Sequence, residues 1–382
     1  MHFLVINVFF APNTYGGATI VAEEVAKSLV KEHGHRVSAI SAISRPDLEP
    51  YAVLKCAVDG IENYQINLPH GRPPTALYQN PEVSARILRI ATQIAPDLVH
   101  VHCIQDIGAD CLPALKSAGF PVVLSVHDFW WICARQFMIR PNGRYCGQSP
   151  VKTSACRGCV DDFDATRARN QMLASMSEAA DLITYPSQFA KDLSEASGFG
   201  LGRGMVLENG IRPPSRAFFE NQAARRAKDD RLVFGFVGGP SRIKGWPLIH
   251  QAFAGLGRSD FKGWLVEGSR DGSWWDTVDF SAMKGEWAVH PRFEQDSMDA
   301  FYARIDVLLF MSQWKETFGL TIREALSRGI KVIQTDSGGT TEHGATEGVK
   351  ILPMGGQSGA EASGRHASGA DRNERNCTLC RS

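Results

Sequence analysis

The sequence has no excess of charge of either sign: its 382 residues carry 41 Lys and Arg against 41 Asp and Glu, so the formal net charge is zero. A partner held by bulk charge, nucleic acid above all, is therefore not expected, although local patches remain open. Long apolar runs are missing too, and nothing approaches the roughly 20 residues that cross a bilayer. The apolar opening, residues 3–10, is short, has no basic segment before it and runs into a glycine turn. It reads as a first buried strand and not as a secretory leader. A cytoplasmic protein is expected, with peripheral membrane contact left open. From about residue 355 apolar periodicity is absent and Gly, Ser and Ala dominate, so residues 355–382 are expected to form a disordered tail.

What is present is the composition of a soluble globular enzyme, with 43% hydrophobic and 21% charged residues. The length suggests two domains, each able to bury its own core. Strand, glycine turn, helix and strand alternate from the start: residues 3–10, the pair Gly16 and Gly17, a helical pattern over 18–32, then a strand over 37–40. The rhythm continues through a helix over 81–95 and strands over 97–103 and 121–126, which is the pattern of a doubly wound parallel sheet. The glycine pair reads equally as a packing turn or as a close approach to a phosphate or sugar. His127 follows the strand over 121–126, at the carboxyl end where open α/β sheets bind ligands, and from position alone it is either a loop cap or a pocket residue. His100 and His102 lie inside a strand and read as core or supporting residues.

Residues 129–160 form a cysteine-rich insertion: Cys133, Cys146, Cys156 and Cys159 are four of the nine cysteines. Cys156 and Cys159 make a CxxC pair, and Asn142-Gly143 marks a turn between the first two. Separate thiols and a structural zinc site are both open readings, and disulfides are disfavoured in a cytosolic compartment. A second CxxC, Cys377 and Cys380, lies in the tail and reads as chance.

Composition places a boundary near residue 204, giving a first domain over 1–204 and a second over 205–354. In the second half a strand over 231–237 ends in Gly238-Gly239, followed by Arg242, Lys244 and a helix. Backbone N–H groups and cations gathered at such a turn suit a diphosphate. Later an apolar strand over 305–311 leads through a short loop into a helix from Leu320, with Glu316 before the helix and Glu324 inside it. The helix start offers free N–H groups at Gly319 and Leu320 and the positive end of its dipole to an anion.

Glu316, followed by Phe318, Gly319 and Leu320 and, after seven intervening residues, by Glu324, resembles the signature of retaining glycosyltransferases of the GT-B fold, family 4. The resemblance covers landmarks from Gly16 to Gly339. It implies two Rossmann-like doubly wound domains facing a cleft, the first binding an acceptor and the second a nucleotide-diphosphate sugar. It implies transfer of the sugar to an acceptor hydroxyl with retention, no cofactor for catalysis, a saccharide or lipid-linked acceptor, and a role in polysaccharide or glycolipid assembly. His127, Lys244 and Glu316 are the implied catalytic residues. Gly16, Gly17, Gly238, Gly239, Arg242, Lys244, Phe318, Gly319, Leu320 and Glu324 are the implied donor contacts, with Glu324 on the ribose. The family pattern places an arginine where Gly239 stands, and Arg242 is the candidate substitute. Relatives continue into a helix that crosses back onto the first domain, and this segment is expected to be absent or replaced. A nucleotide-sugar 2-epimerase of the same fold and a truncated, non-catalytic sugar-nucleotide binder are the competing readings.

Overall fold

The computed structural model describes residues 1–269 and 271–355; the expectations for the tail, including Cys377, Cys380 and the crossing helix, lie outside the described residues. Eight strands make the first sheet: β1 (His2–Ile6), β2 (Arg36–Ile43), β3 (Val53–Val58), β4 (Ile61–Asn67), β5 (Leu98–Val101), β6 (Val122–Ser125), β7 (Leu182–Tyr185) and β8 (Gly204–Val206). Their order is β3-β4-β2-β1-β5-β6-β7-β8. The pairings are parallel except for β3, which returns antiparallel on β4. That hairpin turns through Asp59 (φ 54) and Gly60 (φ 79), and two consecutive positive φ values are what a tight hairpin turn of matching twist demands. The crossover helices are α1 (Gly17–Lys31), α2 (Pro81–Ile94), α3 (Cys111–Ser117), α4 (Phe163–Ser177) and α5 (Gln188–Ala196). α2 starts where its sequence says it should, with Pro81 at its first position and the Asn80 side chain accepting from the Val83 N–H.

The second sheet has six strands in the order β11-β10-β9-β12-β13-β14, paired in parallel throughout. They are β9 (Leu232–Phe236), β10 (Phe261–Val266), β11 (Glu286–His290), β12 (Val307–Phe310), β13 (Lys331–Thr335) and β14 (Val349–Leu352). β12 is buried at every position, as a central parallel strand covered on both faces must be. Its helices are α6 (Arg216–Lys228), α7 (Trp246–Ala254), α8 (Met298–Tyr302) and α9 (Leu320–Ser327). The composition change near residue 204 falls at β8, which pairs with β7 at the edge of the first sheet.

The two halves meet along the carboxyl ends of their sheets. Trp314 of the second half packs within the apolar core of the first. The Glu342 carboxylate accepts from the backbone N–H groups of Gln188 (2.6 Å) and Phe189 (2.7 Å), so it caps α5 from across the interface and meets the positive end of that helix. Arg212, in the crossing segment, grips both carboxylate oxygens of Glu24 of α1 with two nitrogens, Nε and Nη2 (2.7 Å), and Asp296 of the second half with the third. α6 packs on α8, and Phe218 of α6 is buried in the second core.

Candidate active site

The second-domain wall is assembled by glycines that admit close backbone approach. After β9 the chain turns at Gly238 and Gly239 and again at Gly245 (φ 82), where a Cβ would stand 2.0 Å from the Met311 carbonyl oxygen. Only glycine lets this turn close on the end of β12. The closure delivers Lys244, whose Nζ lies 2.9 Å from Glu316 Oε1; the same oxygen accepts from the Ser312 hydroxyl at 2.7 Å. Lys244 Nζ also sits 5.4 Å over the Trp314 ring. The Glu316 loop is fastened to the turn after β13: its N–H donates to the Ser337 carbonyl (2.8 Å) and its carbonyl accepts from the Gly339 N–H (3.0 Å). Arg242 is exposed on the same turn as Lys244. The Trp274 ring covers Gly239 and Gly268, since a Cβ on either would meet it at 2.6 and 2.3 Å respectively.

α9 begins directly after Gly319, which caps it with φ 82. Arg323 folds back from the helix, donating to the Phe318 and Gly339 carbonyls and stacking 3.7 Å from the Phe318 ring centroid. Phe318 is thereby buried, and its place is one of support for the loop. Burial lowers the Arg323 pKa to about 10. Glu324 points into the domain, where it is buried and accepts from the Tyr302 hydroxyl at 2.7 Å. Burial raises its pKa, with that hydrogen bond opposing the shift. The structure thus joins Lys244 and Glu316 directly, while Glu324 stands apart against Tyr302.

The first-domain wall carries little formal charge. The His127 carbonyl accepts from the Thr317 hydroxyl at 2.6 Å, tying the strand end after β6 to the motif loop. Its ring is the outer member of a histidine stack: His127 Nε2 is 2.9 Å from His102 Nδ1, and the His102 and His100 ring centroids are 4.0 Å apart. His100 Nε2 in turn meets the Ser125 hydroxyl at 2.8 Å. Burial, and secondarily the neighbouring His100, lowers the His127 pKa to about 3, and burial lowers His100 to about 4. Both rings are therefore neutral at pH 7, able to exchange hydrogen bonds with a sugar hydroxyl without attracting counter-charge. Asp128 turns away and accepts from the Trp130 N–H (2.8 Å) and the Gln136 amide (2.6 Å). Gly16 (φ 81) and Gly17 open α1, and a Cβ on Gly17 would touch the Leu320 side chain at 3.4 Å, so the glycine loop faces the start of α9 across the interface. Cys133, Cys146, Cys156 and Cys159 line one small cavity in the loop after His127.

Comparison with known proteins agrees with this architecture. Residues 15–213 match the family described as Glycosyltransferase Family 4, and residues 218–349 match the one described as Glycosyl transferases group 1. The chain belongs to glycosyltransferase family 4. Among solved structures, this glycosyltransferase is similar to a sucrose-phosphate synthase from Thermosynechococcus elongatus (TM-score 0.65, 16% identity, 93% of this chain and 86% of that one). It is also similar to HepE from Anabaena in complex with UDP (TM-score 0.58, 16% identity, 93% and 86%). These likenesses show the two-domain GT-B fold. A curated relative, an uncharacterized 42.6 kDa protein in the cps region of Klebsiella pneumoniae, is 22% identical over 357 residues, 90% of this chain and 87% of that one. Among the described residues, no helix of this glycosyltransferase is long and apolar enough to cross a membrane.

Several prominent residues are not marked by any motif. Tyr302 and Glu342 act through partners far away in sequence, and Trp274 reaches its turns from a separate loop. Trp314 and Thr317 lie inside the acidic motif, but only the fold shows that they contact the first domain.

Proposed function

We propose that this glycosyltransferase moves a sugar from a nucleotide-diphosphate donor to an acceptor hydroxyl with retention at the anomeric carbon. The observation that carries the reading is the Lys244–Glu316 pair held at the start of α9. A bound diphosphate would meet the first-turn N–H groups of α9 and the Lys244 ammonium, which together stabilise the charge that develops on the leaving group. Glu316 would then accept from hydroxyls of the transferred sugar. The bond from the anomeric carbon to the phosphate oxygen breaks, the bond to the acceptor oxygen forms on the same face, and the acceptor proton leaves with the diphosphate. Neutral His127, across the cleft, suits a sugar hydroxyl better than it suits an anion. HepE, a relative in fold, was solved with UDP-glucose, and the Klebsiella relative comes from a cps region; both favour a nucleotide sugar and polysaccharide assembly as the setting.

The test is release of nucleoside diphosphate from a panel of nucleotide sugars, with and without saccharide and lipid-linked acceptors. Acceptor-dependent release of one nucleotide, with product of retained anomeric configuration by NMR, supports the transferase. Conversion of donor alone to its 2-epimer favours the epimerase, and binding with no turnover favours the non-catalytic binder.

A further inference from the structure

We infer that Cys133, Cys146, Cys156 and Cys159 form a structural zinc site that fastens the loop after His127 to the active-site wall. Between β6 and α4 the chain runs from 126 to 162 with one short 3-10 turn, Thr153–Cys156, as its only regular element among the described residues. Loops of such length rarely hold one conformation without a staple. The four cysteines are free thiols, and all four line a single cavity of about 70 Å³ together with Arg140 and Gln148. A single water needs roughly 10–15 Å³ by such a measure, so an ion has room.

The backbone brings the four together in two pairs. A hairpin bridged at Ile139 and Tyr145 carries Cys146 back toward Cys133, with the Cys146 N–H donating to the Met138 carbonyl at 2.7 Å. The CxxC pair closes a tight turn in which the Cys159 N–H donates to the Cys156 carbonyl at 2.8 Å. A donor already reaches two of the sulfurs: the Gln148 amide lies 3.3 Å from Cys146 Sγ and 4.0 Å from Cys156 Sγ. An N–H group directed at sulfur is the kind of supporting contact a metal thiolate uses. The Arg169 guanidinium, held on the Trp130 carbonyl at 2.7 Å, is among the charged groups near Cys133.

The sulfurs face the cavity without converging on a point: among the described residues no group of three or more His, Cys, Asp or Glu side chains stands in metal-holding geometry. Zinc binding therefore draws the thiols inward by rotation about χ1 to Zn–S distances of about 2.3 Å. It releases four protons to solvent and leaves a tetrathiolate of net charge about −2 beside Arg140 and Arg169. The consequence reaches the cleft through the same loop. Phe137 sets its ring edge-on against Trp314 at 5.2 Å, and Gln136 holds Asp128 at 2.6 Å. This inference does not depend on the transferase reading.

The experiment is elemental analysis of the full-length chain purified without chelator, with thiol counting before and after a chelator. About one zinc per chain is expected, together with four thiols that react only after the metal is removed. Cys133→Ser and Cys159→Ser are expected to lose the zinc, while Cys56→Ser, on β3, and the double variant Cys377→Ser/Cys380→Ser keep it. Less than about a tenth of a zinc per chain in the wild type overturns the assignment, as do iron in its place, disulfides among the four by mass, or zinc that departs with the tail pair. Should the cysteine variants fail to fold, wild-type metal content and its retention in the tail variant still decide.

Discussion

On the second-domain wall the working residues hang from turns a few residues long, pinned by glycines at Gly245, Gly319 and Gly338 and carrying an ion pair. The first-domain wall instead offers a neutral histidine stack at one strand end, followed by a loop running to α4 with scarcely any regular structure. Ionic groups on short rigid supports suit a site where charge develops on a leaving diphosphate, because preorganised dipoles and cations act there without reorganising. Neutral donors and acceptors beside a long, separately fastened loop suit a site that must accept a hydroxyl-rich partner. On the proposed reading, the charged wall meets the leaving diphosphate and the neutral wall the acceptor.

Breaking the charged wall should have the largest effect. Lys244→Ala is expected to slow nucleotide release by about 10²- to 10³-fold, as for loss of one oxyanion stabiliser. Its melting temperature should change little, since a partly exposed pair contributes about 0–1 kcal/mol to stability. Gly245→Ala attacks the same wall without touching a charge. The new Cβ meets the Met311 carbonyl and the φ of 82° is unfavourable, so a loss of about 2–4 kcal/mol is expected in denaturant titration. On the neutral wall, His127→Ala should lower transfer by roughly 10- to 100-fold through lost positioning while leaving nucleotide affinity by calorimetry unchanged.

The histidine stack also predicts an acid limb of stability. Folded His127 titrates near 3 and His100 near 4, whereas an unfolded histidine titrates near 6.5. Between those values the unfolded chain binds protons that the folded chain refuses. Stability is therefore complete above about pH 6.5 and is lost as pH falls toward 4, at about 1.4 kcal/mol per pH unit for each such histidine. Denaturant midpoints at pH 7, 6 and 5 should show that slope, flattened in His100→Gln. The smallest expected effect is Glu342→Ala, which uncaps α5 and loosens the interface by about 1 kcal/mol, read as a lower melting temperature.

The alternation of elements was legible because buried parallel strands and amphipathic helices write their periods into the chain. The hairpin of β3 and β4 escaped notice although Asp59-Gly60 announces its turn, because β3 alternates exposed and half-buried positions at a sheet edge. α6 and β14 were missed for a related reason: polar α6 buries Phe218 and Gln222 alone, and β14 is a short edge strand. Within the site, Lys244 and Glu316 were each nameable from local motifs, but their bond was not. It spans 72 positions and depends on the turn at Gly245. The inward turn of Glu324 toward Tyr302 and the support of His127 by His102 are likewise tertiary events that no spacing encodes.

The most direct measurement is calorimetric titration of UDP, GDP, ADP and their sugars into the wild type, Lys244→Ala and Arg140→Ala, the last beside the cysteine cavity on the other wall. The charged-wall account predicts that one nucleotide binds the wild type, that Lys244→Ala weakens it by about tenfold or more, a cost of about 1.4 kcal/mol, and that Arg140→Ala leaves it unchanged. No binding by the wild type at millimolar nucleotide, or equal binding by wild type and Lys244→Ala, would contradict it.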